Sequence, residues 1–239
     1  MGNTFLTAQW LKLAMANYAV DPRILAPLVP KGTELDDWNG THYISLVGFM
    51  FMDTHVKGIA VPFHKDFEEV NLRFYVRYND AGVWKRGVVF VKEIVPKPLL
   101  TFVANTLYKE HYQTMDMEHT WDVYDASVDV QYRWKSDGGW NHIRVQAERV
   151  VQPIPAGSEA EFITEHYWGY TQLPDGNTAE YEVRHPRWNV HPVTHYDIHC
   201  NVAEVYGEQF VDAFTHAPRS VFLADGSAIS VHDGRTLSI

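Results

Sequence analysis

One predicted strand carries a row of polar side chains that could do chemistry. Residues 67–77 read Phe-Glu-Glu-Val-Asn-Leu-Arg-Phe-Tyr-Val-Arg, and side chains alternate between the two faces of a strand. One face is therefore apolar, and the other carries Glu69, Asn71, Arg73 and Tyr75. A carboxylate can act as a base or orient a water molecule, and a guanidinium can hold a carboxylate or enolate oxygen. The row is either a solvated ion-pair network or the wall of a polar pocket.

The next predicted strand places two charges inside an apolar run. Lys92 and Glu93 interrupt residues 88–95, whose pattern is typical of a strand covered on both faces. A buried charge requires a partner or a wet cavity, because desolvation without one is costly. A hairpin that turns at residues 79–82 would bring Lys92 near Glu69. Lys92 is therefore a candidate ligand-binding residue.

The elements that must position these residues are mainly strands. We expect strands at 43–52, 67–77, 86–95, 128–135, 140–150, 179–184 and 194–202, with further strand-like runs in 220–239. Helices are expected at 22–30, 98–108, 158 to 166 or 167, and 204–214. No repeat, low-complexity segment or linker interrupts the 239 residues. The sequence thus predicts one α+β domain over residues 1–239, mainly of antiparallel β structure.

Composition restricts the partners and the compartment. The formal net charge of −10 argues against nucleic acid and against an anionic membrane surface, since both require clustered cations. No apolar run approaches the ~20 residues that cross a bilayer, and no secretory signal is evident. Cys200 is the single cysteine, so no intramolecular disulfide can form. We expect a cytoplasmic protein that binds a small molecule, and the sequence leaves open whether it forms a homo-oligomer.

Several common site types find no support in the motifs. The chain has 13 histidines, and His195, Asp197 and His199 would share one face of a strand. Residues four apart on a strand lie ~13 Å from each other, too far to share one ion, so we expect structural histidines and no metal. Neither a nucleophilic-serine elbow nor a phosphate-binding glycine loop occurs. No cofactor is expected.

Several segments together resemble the YqjF-like family of uncharacterised proteins. They are Trp10, residues 20–30, 45–49, 67–73 and 107–112, and residues 181–188, which read Tyr-Glu-Val-Arg-His-Pro-Arg-Trp. The Glu-Glu-Val-Asn-Leu-Arg block is the most specific of them. That family is similar in turn to acetoacetate decarboxylase. The resemblance implies a cone-shaped β-barrel with flanking helices around a polar pocket.

The resemblance also assigns site residues and sets a limit on the chemistry. Glu69 matches the pocket glutamate of the decarboxylases, and Tyr112 stands where their helix carries the Schiff-base lysine. A phenol cannot form an imine, which requires an amine of lowered pKa. Lys109 lies one helical turn earlier, and Lys92 is the other candidate amine. We therefore expect the pocket architecture without the decarboxylase chemistry, because fold does not imply function.

The leading hypothesis is a polar pocket that binds or acts on a small oxo-acid or a related carbonyl compound. Glu69 and Tyr112 would be its catalytic residues, with Arg73, Asn71, Lys92 and Trp10 as ligand-binding residues. An enzyme of this kind would have a lyase or hydrolase-type activity on a carbonyl or carboxylate substrate. The alternative is a non-catalytic module that binds or senses a small ligand. A third interpretation makes the polar row a solvated face of a structural protein.

Overall fold

The computed structural model describes residues 3–60, 62–103, 105 and 111–237. Its strands are β1 Thr4–Ala19, β2 Thr33–Leu35, β3 Tyr43–Val56, β4 Ile59–Ala60, β5 Phe67–Asp80, β6 Val83–Val95, β7 Tyr112–Thr114, β8 Asp116–Val123, β9 Ser127–Ser136, β10 Gly139–Glu148, β11 Gln152–Pro153, β12 Trp168–Gln172, β13 Thr178–Arg184, β14 Asn189–His191, β15 Val193–His199, β16 Ser220–His232 and β17 Arg235–Leu237. The α-helices are α1 Pro22–Leu25, α2 Pro98–Val103, α3 Glu159–Thr164, α4 Val202–Val205 and α5 Val211–Phe214. Among these described residues, no helix is long and apolar enough to cross a membrane.

Seven strands of the large sheet close into a ring in the order β16, β1, β3, β5, β6, β12, β13. The ring closes where β13 pairs with β16 through Val183–Val231 and Arg184–Ser230. Most pairings are antiparallel, whereas β6 runs parallel to both β12 and β7. The predicted β-rich fold with few helices is confirmed, as a large mixed sheet containing a closed ring.

A second sheet, ordered β15-β10-β9-β8, packs against one face of the ring. Val70, Leu72 and Phe74 of β5 belong to the buried cluster that includes Val130 and Ile143 of this second sheet. The opposite face of the ring strands forms a separate cluster. The interior of a seven-strand ring has room for side chains but not for a four-stranded sheet. The face that the second sheet covers is therefore the outer one. The other face, which carries Glu69, Asn71, Arg73 and Tyr75, is the inner face.

The predicted hairpin is present, but its register differs from the sequence-based one. Ala81 and Gly82 have φ values of 52° and 92°, as a two-residue loop that matches the strand twist requires. A bulge in β6 then shifts the pairing after Arg73. Leu72 therefore lies opposite Lys92, on the outer face. The predicted proximity of Lys92 to Glu69 is wrong.

Helix ends follow local chemistry where the sequence signals were strong. Asp21 caps α1 by accepting from the Arg23 amide, and Ser158 caps α3. The single helix predicted over 204–214 is wrong, because Gly207 (φ 114°) separates α4 from a short 3₁₀ segment and α5. The predicted helix at 98–108 begins at Pro98. Most of the rest of this predicted helix lies outside the described residues. Lys109, which follows it, does so too.

Candidate functional site

Glu69 is buried on the inner face of the ring and holds two of the predicted site residues. Only 2% of Glu69 is exposed. Its Oε1 accepts from Asn71 Nδ2 at 2.9 Å, and its Oε2 accepts from Tyr112 Oη at 3.3 Å. The structure thus brings Glu69, Asn71 and Tyr112 together. A solvated surface row does not describe this carboxylate.

Tyr112 reaches Glu69 because a short parallel strand fixes its backbone. It begins β7, where it lies opposite Glu93 of β6. Asn105 clamps it from the other side, since Nδ2 of Asn105 donates to the Tyr112 carbonyl and Oδ1 accepts from the Tyr112 amide, both at 2.8 Å. Glu93, which is buried and lies across from Asn71, adds a second carboxylate to the inner face. The sequence had indicated a buried charge at Glu93, because this residue interrupts the apolar run 88–95.

Arg73 is a half-buried guanidinium with no anionic partner in the described part of the chain. Its Nε is buried and makes no hydrogen bond there, and it forms no ion pair with a described residue. The nearest aromatic group is the Tyr75 ring, whose centroid lies 5.8 Å from Cζ. Buried donors are nearly always satisfied in folded proteins. Arg73 is therefore the group of the inner face best suited to bind an anion.

A chain of buried hydrogen bonds fixes the Tyr75 ring beneath Arg73. Ser45 Oγ donates to Asn17 Oδ1 at 2.6 Å and lies 2.7 Å from Tyr75 Oη. Because the single Ser45 proton is used, the phenol must donate to Ser45. Asn17 Nδ2 in turn donates to Ser220 Oγ at 3.1 Å, and Ser220 donates to Glu159. The hydrogen bonds therefore run in one direction, from Tyr75 through Ser45, Asn17 and Ser220 to Glu159. This network fixes the orientation of the Tyr75 ring.

A buried Asp–His pair lies beside the same Tyr75 ring. Asp36 Oδ2 accepts from Arg86 Nε at 2.6 Å and from His166 Nε2 at 3.2 Å. Burial by itself would raise the pKa of Asp36. The hydrogen bonds and charges of His166 and Arg86 outweigh that effect and lower the pKa to about 2. Burial lowers the pKa of His166 to about 4, helped by the positive charges of Arg86 and Arg73. At neutral pH the pair is a carboxylate and a neutral imidazole.

Aromatic rings form another part of the inner face, and Trp10 belongs to them. The Trp10 ring lies 5.3 Å from Phe49 and 5.7 Å from Phe51, edge to face in both cases. Trp188 lies 6.5 Å from Trp10 and stacks on His185 at 4.1 Å. Burial lowers the pKa of His185, with a further contribution from Arg73. Phe49 pairs with Glu69 across β3 and β5, which places this aromatic wall beside the polar group.

Lys92 does not join the group. It projects from the outer face, where its Nζ donates to the Val205 carbonyl, and burial lowers its pKa. Lys109, the other candidate amine, lies outside the described residues.

Two clefts of about 430 and 380 Å³ open elsewhere on the protein, and neither is lined by Glu69 or Arg73. Within the described ranges, no cluster of three His, Cys, Asp or Glu residues could hold a metal ion.

Sequence reasoning missed Asp36 and His166 as members of the site. They lie 130 positions apart in loops next to β2 and α3, and no periodic pattern connects them. The one local signal was the Ser158 cap, which begins the short helix α3 that ends at Thr164, two residues before His166. Glu69, Asn71 and Arg73 were named because they lie in a strand that the alternation pattern identifies, whereas Trp10 was named through the family resemblance.

Sequence comparisons match this chain to a family of uncharacterised proteins. The model of the DUF2071 family, described as an uncharacterized conserved protein, matches residues 7–228. Uncharacterized protein YqjF of Bacillus subtilis (strain 168) is 29% identical over 187 residues, which cover 75% of this chain and 72% of that protein.

Solved structures of low sequence identity share the fold. Acetoacetate decarboxylase from Legionella pneumophila matches with a TM-score of 0.64 and 11% identity, covering 99% of this chain and 90% of that one. An acetoacetate decarboxylase-like enzyme from Sphingomonas wittichii RW1 matches with a TM-score of 0.67 and 12% identity, covering 99% and 94%. The enduracididine biosynthesis enzyme MppR complexed with pyruvate matches with a TM-score of 0.64 and 12% identity, covering 100% and 91%. The chain has an acetoacetate decarboxylase-like fold and belongs to the DUF2071 family.

Proposed function

We propose that the inner face of the seven-strand ring binds a small carboxylate at Arg73, with 2-oxo acids and related carbonyl compounds as the ligand class. The observation that carries the proposal is the half-buried Arg73 guanidinium, which no described carboxylate neutralises. A planar guanidinium matches a carboxylate in a bidentate geometry. In this proposal the ring acts as a cone-shaped β-barrel around the ligand, in a cytoplasmic protein.

The neighbouring groups suit a carbonyl next to the carboxylate. Glu69 and Tyr112 form one hydrogen-bonded unit, in which Glu69 would serve as a base or orient a water molecule. Tyr112 would donate a hydrogen bond or a proton to the carbonyl oxygen. A solved protein of the same fold, MppR, has been obtained in complex with pyruvate, which supports the ligand class for this chain.

The chemistry proposed for this site avoids an imine. Lys92 lies on the outer face, and the Tyr112 phenol, which donates to Glu69, cannot form an imine. Borohydride reduction with pyruvate tests this step, because an imine would be trapped as a covalent adduct. We expect an unchanged mass of the protein. An adduct located on any lysine of the chain would contradict the proposal of imine-free chemistry.

Arg73→Met is the direct test of carboxylate binding. Charge-assisted hydrogen bonds contribute about 1.5–3 kcal/mol, so we expect pyruvate affinity in calorimetry to fall by about tenfold or more. Arg77→Met is the matched control, since Arg77 lies on the same strand but already pairs with Glu34 and covers the Trp84 ring. Equal affinity in Arg73→Met and the wild type would remove the proposed role of Arg73.

The second candidate is a binding or sensing module without turnover, which the Tyr112 phenol bonded to Glu69 favours, because a phenol cannot form an imine. Glu69→Gln separates the two candidates. In an enzyme the substitution abolishes turnover and spares affinity, whereas a sensor shows no turnover in the wild type. Loss of a 2-oxo acid or of acetoacetate can be followed by NMR, with Arg77→Met again as the control.

A further inference from the structure

Several buried side-chain atoms of the inner face make no hydrogen bond with the described part of the chain, and two of them, on Arg73 and His166, are complementary. Nε of Arg73 is a donor, and Nδ1 of His166 makes no hydrogen bond with the described part of the chain. Both side chains lie against the Tyr75 ring, at 5.8 Å from the Arg73 Cζ and 4.7 Å from the His166 ring centroid. An unsatisfied buried donor and an unsatisfied buried acceptor each cost free energy, which a bond between them would recover.

The surroundings of His166 determine which of its nitrogens can accept. Asp36 is ionised beside Arg86 and can only accept, so the proton of the neutral imidazole lies on Nε2. Nδ1 therefore carries a lone pair and points away from Asp36. The aromatic rings that contact the imidazole are those of Tyr75 and the apolar Phe162. Neither competes for Nδ1 in the plane of the imidazole.

We propose that His166 is the positioning residue of the anion site, with its Nδ1 accepting from Arg73 Nε when a carboxylate binds. This inference rests on the proposed function. Asp36 fixes the tautomer, His166 holds the guanidinium by its Nε edge, and the two terminal Nη groups face the ligand. The site thereby selects a carboxylate bound end-on and in the plane of the guanidinium. The logic is that of an Asp–His pair in which the acid orients the imidazole.

Two amide substitutions at this position separate positioning from a merely structural role. In His166→Asn the amide oxygen takes the place of Nδ1, so the acceptor for Arg73 is kept while the contact to Asp36 is lost. In His166→Gln the amide reaches the place of Nε2, so the contact to Asp36 is kept while the acceptor is lost. A role limited to supporting Asp36 predicts that Gln preserves binding better than Asn. The positioning role predicts the reverse order.

The measurement is pyruvate affinity by calorimetry at neutral pH, with thermal melting to show that each variant is folded. We expect His166→Gln to weaken binding by about tenfold, the effect of losing one hydrogen bond to a charged group. His166→Asn should stay within about threefold of the wild type on the same scale. If Gln binds as well as the wild type, the positioning role is overturned. If Arg73→Met also binds normally, the proposed function itself fails.

A measurement on the wild type covers the case in which neither variant folds. Long-range ¹H–¹⁵N spectra identify the tautomer of a buried histidine directly. We expect the proton of His166 on Nε2, with the Arg73 Nε–H resonance shifting when pyruvate is added. A proton on Nδ1, or an Arg73 Nε–H resonance that is insensitive to a bound pyruvate, would overturn the inference while leaving carboxylate binding intact.

Discussion

Removal of the buried imidazole should change how the stability of the protein depends on pH. His166 has a pKa of about 4 in the folded protein, compared with about 6.5 for an unperturbed histidine. The unfolded chain therefore binds this proton first as the pH falls. The stability contributed by a neutral His166 is complete above about pH 6.5 and is lost progressively towards pH 4.

The size of the loss follows from the same two pKa values. A difference of about 2.5 units, at 1.36 kcal/mol per unit, corresponds to about 3 kcal/mol of unfolding free energy. Asp36 contributes little to the change in this range, because its pKa is lowered from 3.8 to about 2 and most of its stabilisation is lost below about pH 4. His185, whose pKa is also lowered, is present in the wild type and in a His166 variant and cancels between them.

Urea unfolding of the wild type and of His166→Gln between about pH 7 and pH 4 measures this difference. We expect the wild type to lose about 3 kcal/mol more than the variant over that range. His216→Gln, which removes an exposed histidine, is the control and should follow the wild type. Equal losses in the wild type and in His166→Gln would refute the assignment of a buried neutral imidazole.

Three further substitutions test other features of the structure. Gly226→Ala should destabilise the protein by about 3 kcal/mol or more in urea unfolding, because a Cβ there would lie 1.9 Å from the Trp10 carbonyl oxygen. Gly82→Ala is its control, because φ is also positive there but no atom lies within 4 Å of the added Cβ, so a smaller loss is expected. Lys92→Met should leave pyruvate affinity unchanged in calorimetry, and a clear loss would return Lys92 to the site. Ser158→Ala should cost about 1 kcal/mol through the lost cap of α3, which thermal melting would detect, and an unchanged melting temperature would show that the cap contributes nothing.

Strand alternation predicted the part of the site that lies on one strand. Glu69, Asn71 and Arg73 share the inner face because the period of two is unbroken along β5. Lys92 was misplaced because one extra residue in β6 reverses the face of everything beyond it. The sequence of that strand carries no glycine at the bulge to reveal it. Register, unlike the face of a single strand, depends on details that the alternation pattern does not encode.

The rest of the site depends on contacts between distant segments. Asp36 and His166 meet only because the ring brings the chain after β2 next to the end of α3. The strands β3, β5, β6, β9 and β10 were predictable from apolar alternation, whereas β1 and β8 were not predicted. The closing pair, β13 with β16, is a tertiary choice. The resemblance to acetoacetate decarboxylase implied such an arrangement before any contact was known. Local propensity could not have distinguished a closed ring from an open sheet.

The closure of the ring has a consequence for how the protein is made. β1 spans Thr4–Ala19 and pairs along most of its length with β16, Ser220–His232, so its partner on that side is synthesised long after β1 itself. Until then one edge of a long strand lacks its partner, a condition that favours aggregation. Pairings of such large sequence separation also slow folding. We therefore expect the nascent chain to close the ring only after β16 has left the exit tunnel, and to depend on chaperones until then.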